Sequence, residues 1–363
     1  SFTEKPISRS RLSADGRLIA LSDIRKGRFR VQVVDTETGR RQVIRNGSLP
    51  SSSNLEYVAV PLVAWNRYGQ LAMLVEENNR TNLYIYEDLD TKKPRLRTKR
   101  IVKGLDQIID MDFSDDGSML ALSADKGGQN DLHLLTVSRA SLVQLTNDVF
   151  DDLTPRFVSG SSRRVVFASD RTADTLVVTR NSGSLPVLAP GLTLFEHDGD
   201  PRATSLRRIS AHTGSSQLVP IKANDDEIVF ASSNKGIINV FRYERSTTNV
   251  TQLTNYQTSI YAADATLRGR GELLMTYLNK GNFTLGVVAN FVAANNVSTP
   301  TLTKEGVQKE SQSDIAQKIN QDNGSADTSV EETTTTASIQ LKEGEVDTDN
   351  YQFDEDVLRT FEF

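Results

Sequence analysis

The stretch SADGRLIAL, Ser13–Leu21, joins a tight polar turn to an apolar strand, and the chain contains six copies of this arrangement. The turn positions of successive copies are 45 to 63 residues apart. Such a period, with short strands, is typical of a propeller with four-stranded blades. The sequence therefore predicts an all-β fold, a six-bladed β-propeller. The other copies are NRYGQLAML (Asn66–Leu74), SDDGSMLAL (Ser114–Leu122), SGSSRRVVF (Ser159–Phe167), ANDDEIVF (Ala223–Phe230) and RGRGELLMT (Arg268–Thr276), and the equivalent turn positions are Gly16, Gly69, Gly117, Ser162, Asp225 and Gly271.

Each copy has the chemistry of a hairpin that leads into a buried strand. Gly or Asp at the turn provides the positive φ or the side-chain bond that a tight hairpin needs. The residues that follow, such as Leu18–Leu21 and Met119–Leu122, are apolar almost without alternation. Such a run predicts a strand covered on both faces, as each blade of a propeller is. We expect the single tryptophan, Trp65, to pack between blades.

The fullest copies, Ser13–Ile44 and Ser114–Asn147, continue with a polar loop, a second apolar strand and a closing strand that in the latter ends in Leu-Thr. This pattern resembles the TolB-type propeller repeat, which also occurs in the N-terminal propellers of prolyl-oligopeptidase-like enzymes. The resemblance covers roughly Arg9 to Phe291, with the fourth and sixth copies degenerate. It implies a propeller that binds partner proteins through one face of the disc. The α/β domain that precedes the TolB propeller is not expected here, because the first blade begins almost at Ser1.

The composition changes near Phe291. Residues 292–363 carry five Lys or Arg and fifteen Asp or Glu, and their few apolar residues cannot form a core. We therefore expect two parts, a propeller over residues 1–291 and a mostly irregular acidic tail or linker over residues 292–363. A tail of this kind can lie along a partner and anchor through spaced aromatic residues, or it can be a plain linker. The candidate anchors are Tyr351, Phe353, Phe361 and Phe363.

A basic run marks the second blade. Its members are Lys92, Lys93, Arg95, Arg97, Lys99, Arg100 and Lys103. As a strand, Lys93, Arg95, Arg97 and Lys99 would share one face. One interpretation is a patch for an acidic partner, with Arg95, Arg97 and Lys99 as candidate partner-binding residues. The other is an outer edge strand that charge keeps soluble. A nucleic-acid partner is not expected, because the aromatic interleaving of such sites is missing.

The sequence lacks the usual signatures of catalysis. It has no cysteine, no G-x-S-x-G nucleophile motif and no phosphate-binding glycine loop. We expect structural or solvated roles for His133, His197 and His212, whose spacing forms no metal pair. The inner strands offer a mixed set of charges that does not resemble an active site, namely Arg9, Arg11, Asp110, Asp112, Arg156 and Asp264. We predict no catalysis, no cofactor and no metal.

Three classes of function remain open. We favour a non-catalytic protein-binding scaffold of the bacterial cell envelope, part of a larger and possibly outer-membrane assembly. It would be exported and periplasmic or outer-membrane-associated, with no transmembrane segment of its own. The alternatives are the substrate-gating propeller of a peptidase without its catalytic domain, and a propeller that binds a small ligand or sugar. The longest insertion, between Val178 and Leu192 in the fourth copy, is a candidate binding loop or a tolerated one.

Overall fold

The computed structural model describes residues 9–48, 60–78, 80–176, 188–209, 211–256, 258–267, 271–279, 282–289 and 291. Contacts divide the chain into two units, Ser1–Gln312 and Ser313–Phe363, and every described residue belongs to the first. These residues form six antiparallel sheets arranged in chain order. The predicted six-bladed β-propeller is confirmed. The predicted irregular tail, 292–363, lies outside the described residues.

The strands follow one another as successive meanders. Blade one consists of β1 (Arg9–Leu12), β2 (Leu18–Arg25), β3 (Arg28–Asp35) and β4 (Arg41–Ser48). Blade two consists of β5 (Leu62–Trp65), β6 (Leu71–Glu77), β7 (Arg80–Glu87) and β8 (Arg95–Val102). Blade three consists of β9 (Gln107–Phe113), β10 (Met119–Asp125), β11 (Asn130–Thr136) and β12 (Ser141–Gln144).

The second half of the ring repeats this plan. Blade four consists of β13 (Asp152–Phe157), β14 (Val165–Ser169), β15 (Thr193–His197) and β16 (Arg207–Ile209). Blade five consists of β17 (Leu218–Ala223), β18 (Glu227–Ser232), β19 (Asn239–Glu244) and β20 (Val250–Gln252). The described part of blade six consists of β21 (Ile260–Ala265), β22 (Glu272–Asn279) and β23 (Asn282–Ala289).

The first strand of each blade lies at the centre of the ring. Each of β1, β5, β9, β13, β17 and β21 contacts the first strand of the next blade, and β21 contacts β1. Within the described residues every blade is built from one continuous segment, so blades six and one meet without exchanging a strand. Among the described residues, blades six and one are joined by side-chain contacts and packing.

Six apolar clusters hold the blades together, one at each interface between neighbours. The interface of blades six and one contains Leu12, Ile19 and Leu21 on one side and Leu274 and Leu285 on the other. The apolar runs are buried on both faces as predicted, and Ile19 is 0% exposed. Burying surface of this kind contributes roughly 25 cal/mol per Å². Trp65 packs between blades one and two, which confirms its predicted position.

The repeated turn uses its own polar groups. Ser13 accepts a hydrogen bond from the Leu18 N–H at 2.8 Å and donates to Asp15 at 2.6 Å. Gly16 completes the turn with a φ of +76°, a conformation that other residues rarely adopt. The turn at Ser114 repeats this arrangement. The repeated residues therefore form the hairpin. Functional residues are to be sought where a copy departs from the repeat.

Candidate functional site

Charged side chains from three inner strands meet in the central channel. Arg11 of blade one donates to Asp110 of blade three over 3.0 Å. Arg156 of blade four donates to the other oxygen of Asp110 over 2.9 Å. Arg9 also reaches blade three, where it donates to the carbonyl of Ile109 at 2.9 Å. Since blade two separates blades one and three along the ring, the Arg9 and Arg11 bonds join blades that are not neighbours.

Two other carboxylates of the channel each join a pair of neighbouring blades. Asp112 of blade three accepts a bond from the Phe157 N–H of blade four at 2.8 Å. Asp264 of blade six accepts the equivalent bond from the Leu12 N–H of blade one, also at 2.8 Å. The second bond lies where the ring closes. The structure thus brings together all six charged residues that the sequence placed on the inner strands, and each makes an inter-blade contact.

The electrostatics of the channel favour a structural role. Burial opposes ionisation of Asp110, but the guanidinium groups of Arg156, Arg11 and Arg9 outweigh it and lower the pKa of Asp110 to about 2. A general acid or base works best with a pKa near the operating pH. Asp110 is therefore suited to holding arginines in place and poorly suited to proton transfer.

A depression on one face of the disc, at the ends of the strands, lies between blades one and two. We call it the rim depression, and it is formed by the turns β1–β2, β5–β6 and β7–β8. It has a volume of about 350 Å³. Its side chains include Arg17, Arg67, Tyr68, Asp88 and Asp90. Aromatic residues and arginines are the side chains most enriched at the energetic centres of protein interfaces.

Tyr68 is the most exposed large hydrophobic residue of the rim depression. It is 64% exposed, and the Arg67 guanidinium lies 5.1 Å from its ring centroid. Its backbone N–H donates to the buried Asn66 side chain at 3.0 Å, and the same oxygen accepts from the Gln70 N–H. The turn that carries Tyr68 is therefore fixed, which lowers the entropy lost when a partner covers the ring.

The sequence contained a signal for Tyr68 that our sequence analysis did not use. The first and third copies of the turn have Asp15 and Asp116 at this position, where each bonds to its own turn. In the second copy Asn66 supplies the side-chain acceptor, so the position of Tyr68 is released from this task. The position at which the second copy departs from the repeat is thus the position of the exposed side chain, Tyr68.

The predicted basic strand exists as β8, but its alternation is interrupted. Arg95 lies opposite Glu87 and Lys99 lies opposite Tyr84, with a bulge between them at Arg97. The expectation that these basic residues share one face is therefore wrong for Lys99, because the extra residue of a bulge shifts the side-chain parity. Arg95 and Arg97 both pair with Glu87, and Lys99 lies 5.4 Å from the Tyr84 ring centroid. A partner-binding role for Arg95, Arg97 and Lys99 stays a prediction.

The tail and the insertion are the other binding regions that the sequence predicted. Tyr351, Phe353, Phe361 and Phe363 lie outside the described residues, as does the stretch 177–187 of the insertion. Among the residues that the structure does describe, no helix is long and apolar enough to cross a membrane.

Three buried carboxylates form a cluster that the sequence analysis missed. Asp131, Asp148 and Asp152 place their oxygens within 4.8 Å of one another at the interface of blades three and four. Arg171 is fully buried beside them and donates to Asp148 at 3.0 Å and to Asp152 at 2.7 Å. Three acidic groups of this kind can hold a cation. Here the Arg171 guanidinium supplies the positive charge, so the cluster is best described as an ion network that joins two blades.

The cluster contains three carboxyl groups and one guanidinium group, so its acidic groups outnumber its basic one. Burial and the charge of Asp152 raise the pKa of Asp131 to about 7. Burial also raises the pKa of Asp152, although Arg171 acts in the opposite direction. Hydrogen bonds from Thr146 and Gln144 fix the Asp131 carboxyl. The cluster therefore holds a proton in a pH range where free carboxylates are ionised.

The histidines are packed in the blades. His133 and His197 are buried in strands, and burial lowers the pKa of each. His212 packs edge-on against Phe230 and Phe241, with ring centroids 5.4 and 4.4 Å away. Burial lowers the pKa of His212 to about 4. These neutral, packed rings agree with the predicted structural role.

Comparisons with known proteins give a likeness of fold and nothing finer. No protein-family model and no curated protein sequence matches the chain. TolB from Acinetobacter baumannii is 18% identical with a TM-score of 0.47, over 76% of this chain and 64% of that one. A putative TolB from Agrobacterium tumefaciens is 15% identical with a TM-score of 0.48, over 69% of this chain and 82% of that one.

A peptidase propeller is similar to the same degree. A puromycin-hydrolysing peptidase of Mycobacterium tuberculosis is 14% identical with a TM-score of 0.50, over 82% of this chain and 47% of that one. The chain thus spans less than two thirds of the A. baumannii TolB structure and about half of the peptidase. At these identities the likeness concerns the propeller fold alone, which both scaffolds and enzymes use.

Proposed function

We propose that this chain is a non-catalytic propeller scaffold that binds a protein partner through the rim depression. The observation that carries the proposal is Tyr68, a 64% exposed aromatic residue on a fixed turn, with Arg67 against its ring and Arg17 beside it in a depression of about 350 Å³. A Tyr and two Arg at one rigid site have the composition of an interface hot spot.

The organisation of the channel supports a binding function over a catalytic one. Of the described inner-strand residues, Arg11, Asp110, Asp112, Arg156 and Asp264 are charged groups that could serve chemistry there, and each forms a contact to another blade. A sugar-binding or catalytic channel would need some of these groups free to meet a ligand. Breaking a buried pair to release one of them costs roughly 3–5 kcal/mol.

The proposal also includes a location in the cell. The TolB-type repeat of the sequence favours export and an envelope location, in the periplasm or at the outer membrane. The partner would then be an envelope protein that presents a surface to the rim depression. Fractionation of the native host, with an antibody to this chain, tests the location separately from the binding site.

The binding site can be tested by site-specific photocross-linking in the native host. A photoreactive phenylalanine analogue placed at position 68 should give one discrete adduct. The matched control is Tyr261, which is 59% exposed and lies near the opposite end of an inner strand. The proposal predicts an adduct from position 68 and none of the same mass from position 261. Equal adducts from both positions, or none from position 68, would contradict it.

The same experiment separates the scaffold from a gating propeller. A peptidase propeller works against its own catalytic domain, so the adduct from position 68 would be identified by mass spectrometry as a hydrolase. Such an identification, together with peptidase activity that copurifies with the chain and falls in the Tyr68→Ala variant, would replace the scaffold proposal. Adduct formation with a protein that has no hydrolase activity supports the scaffold.

A further inference from the structure

Blade two carries a second recess, on the face of the disc opposite the rim depression. The rim depression includes the turns β5–β6 and β7–β8, whereas this recess adjoins the β6–β7 turn at the other ends of the same strands. We call it the opposite-face pocket. Its volume of about 440 Å³ is within the range of pockets that bind ligands.

One wall of the pocket is the end of β8, which extends beyond the corresponding strands of blades three and five. Counted from the repeated turn along the paired strands, Tyr84, His133 and Phe241 occupy equivalent places on their third strands. The outer strands β12 and β20 end opposite His133 and Phe241, whereas β8 continues for three residues past the place opposite Tyr84. These three residues are Arg100, Ile101 and Val102.

The added residues give the pocket an apolar wall. Val102 is 6% exposed and packs in the interface of blades two and three, whereas Ile101 is 38% exposed. Leu105, on the connection to blade three, packs against the same interface and also lines the pocket. The wall therefore offers apolar surface of a size that suits one aliphatic side chain.

Cations lie around this apolar wall. Arg80 and Lys103 line the pocket and are exposed, and neither has an ion-pair partner among the described residues. Arg100 immediately precedes the wall on β8, and its described hydrogen bonds go to the backbone carbonyls of Ser138 and Lys99. Positive charge that no described carboxylate neutralises attracts and orients an acidic partner.

Two acidic side chains of the pocket narrow the choice of partner. Asp106 accepts a hydrogen bond from the Gly127 N–H at 2.7 Å, and Glu76 is exposed. Both would repel the closely spaced phosphates of a nucleic acid or an anionic membrane. The described lining residues also include no aromatic side chain on which a base could stack. A protein segment with carboxylates spaced among neutral residues fits this mixture better.

The basic run of the sequence leads to the same pocket, because β8 extends from the side of the rim depression to the opposite face. Arg95 and Arg97 near its start pair with Glu87. Lys99 and Arg100 near its end have no carboxylate partner among the described residues. The unpaired charge of β8 itself therefore lies at the end that forms the pocket.

We propose that the opposite-face pocket binds an acidic, extended segment of a partner protein that carries an aliphatic side chain. The aliphatic side chain packs against Ile101 and Leu105. Neighbouring carboxylates of the segment pair with Arg80 and Lys103. The site does not depend on the rim depression, since the two lie on opposite faces of blade two. With both sites occupied, the propeller joins two proteins.

Fluorescence anisotropy with a defined peptide tests this proposal on the purified full chain. The probe is a fluorescein-labelled peptide with a central leucine between two sets of three glutamates. One matched probe replaces the leucine with serine, and another replaces every glutamate with glutamine. The leucine-glutamate probe should bind at least about fivefold more tightly than either, because it alone has both the apolar side chain and the charges.

Substitutions in the chain locate the binding. Arg80→Glu should weaken binding of the leucine-glutamate probe at least about fivefold. Arg28→Glu is the matched control, because Arg28 is the exposed first residue of β3 as Arg80 is of β7, and it should change binding less than about twofold. Ile101→Ser should lower the affinity for the leucine probe to that for the serine probe and leave the serine probe unchanged.

The opposite results would overturn the proposal. Equal losses from Arg80→Glu and Arg28→Glu would indicate attraction to the whole surface, and equal affinities for the leucine and serine probes would leave the apolar wall without a role. Failure of the probe to bind also overturns it. Anionic phospholipid vesicles or a single-stranded oligonucleotide that bound in its place, with the same dependence on Ile101, would identify a membrane or a nucleic acid as the occupant. If Arg80→Glu does not fold by circular dichroism, Lys103→Glu replaces it. Cross-linking at position 68 reports on the other face and is not affected by these outcomes.

Discussion

Arg11 and Asp110 are joined across the central channel by a 3.0 Å hydrogen bond, although a whole blade lies between their strands along the ring. Asp110 is held from the other side by Arg156 at 2.9 Å. A single carboxylate thus links blades one, three and four. Its two arginines are 13% and 5% exposed at the side chain, so the network is well removed from solvent.

Replacing Asp110 with Asn should therefore be costly. The change removes the one carboxylate that both buried guanidinium groups bind directly, and we expect a loss of about 3–5 kcal/mol in the free energy of unfolding at pH 7. Because the folded pKa of Asp110 is low, its contribution is lost as pH falls from about 4 to about 2. The difference between wild type and variant in urea unfolding should shrink over that range.

The matched control for this prediction is an exposed ion pair. Asp225 pairs with Arg164 but is 74% exposed at its side chain. Asp225→Asn should change the free energy of unfolding by less than about 1 kcal/mol. Equal effects of the two substitutions on the free energy of unfolding would show that the channel network does not stabilise the fold as its geometry indicates.

Asp264→Ala should loosen the ring where blades six and one meet. The change leaves the buried Leu12 N–H without its acceptor, which costs roughly 1–3 kcal/mol. We expect faster hydrogen exchange in β1 and β21, because no shared strand joins these two blades within the described residues. Asp112→Ala removes the equivalent bond between blades three and four, which the chain connects directly. Its effect on exchange should be smaller, and the reverse order would refute this account of ring closure.

Asp131→Asn should remove part of the pH dependence of stability. The folded pKa of Asp131 is raised to about 7, so between about pH 4 and 7 the folded state binds more protons than the unfolded state. The free energy of unfolding then falls as pH rises through that window, by at most about 1.4 kcal/mol per pH unit for one proton. Urea unfolding at pH 5 and pH 8 should show a smaller decrease in the variant.

Asp116→Asn is the matched control for that experiment, because this carboxyl titrates at lower pH and its replacement should leave the difference in stability between pH 5 and pH 8 unchanged. Desolvation alone would raise the pKa of Asp116, but hydrogen bonds from Ser118 and Ser114 together outweigh it and lower that pKa. Its contribution is present at neutral pH and is lost as pH falls. If Asp116→Asn changed the difference in stability between pH 5 and pH 8 as much as Asp131→Asn does, the buried carboxylate cluster would not hold a proton as described.

The fourth prediction concerns the aromatic residues of the acidic tail, and its basis is the composition of the sequence. Tyr351→Ala with Phe353→Ala should weaken retention of a bound partner, since each aromatic ring contributes about 2–3 kcal/mol when buried. The stability of the propeller should not change. The measurement is the dissociation constant for the protein that cross-links to position 68, with Thr335→Ala as a control in the same tail. Unchanged binding in the double variant would reduce the tail to a linker.

The sequence alone predicted the number of blades, because each repeated hairpin is formed by residues that are close together in the chain. A turn such as Ser13–Gly16 closes through bonds within five residues, and the apolar run after it is itself the signal that the strand is buried. The candidate site was harder to find. Tyr68 is recognised only once Asn66 is seen to accept from the Gln70 N–H the bond that Asp15 accepts from the Arg17 N–H in the first copy.

The sequence by itself determined the repeated hairpins and the buried strands, because these depend on residues close together in the chain; the separate acidic tail stays a prediction. Only the tertiary structure decided that Arg11 meets Asp110, that Arg171 lies between Asp148 and Asp152, and that a bulge moves Lys99 to the other face of its blade. Those contacts join residues on different strands or blades. They depend on the closure of the ring and on the register of each strand, neither of which a local pattern encodes.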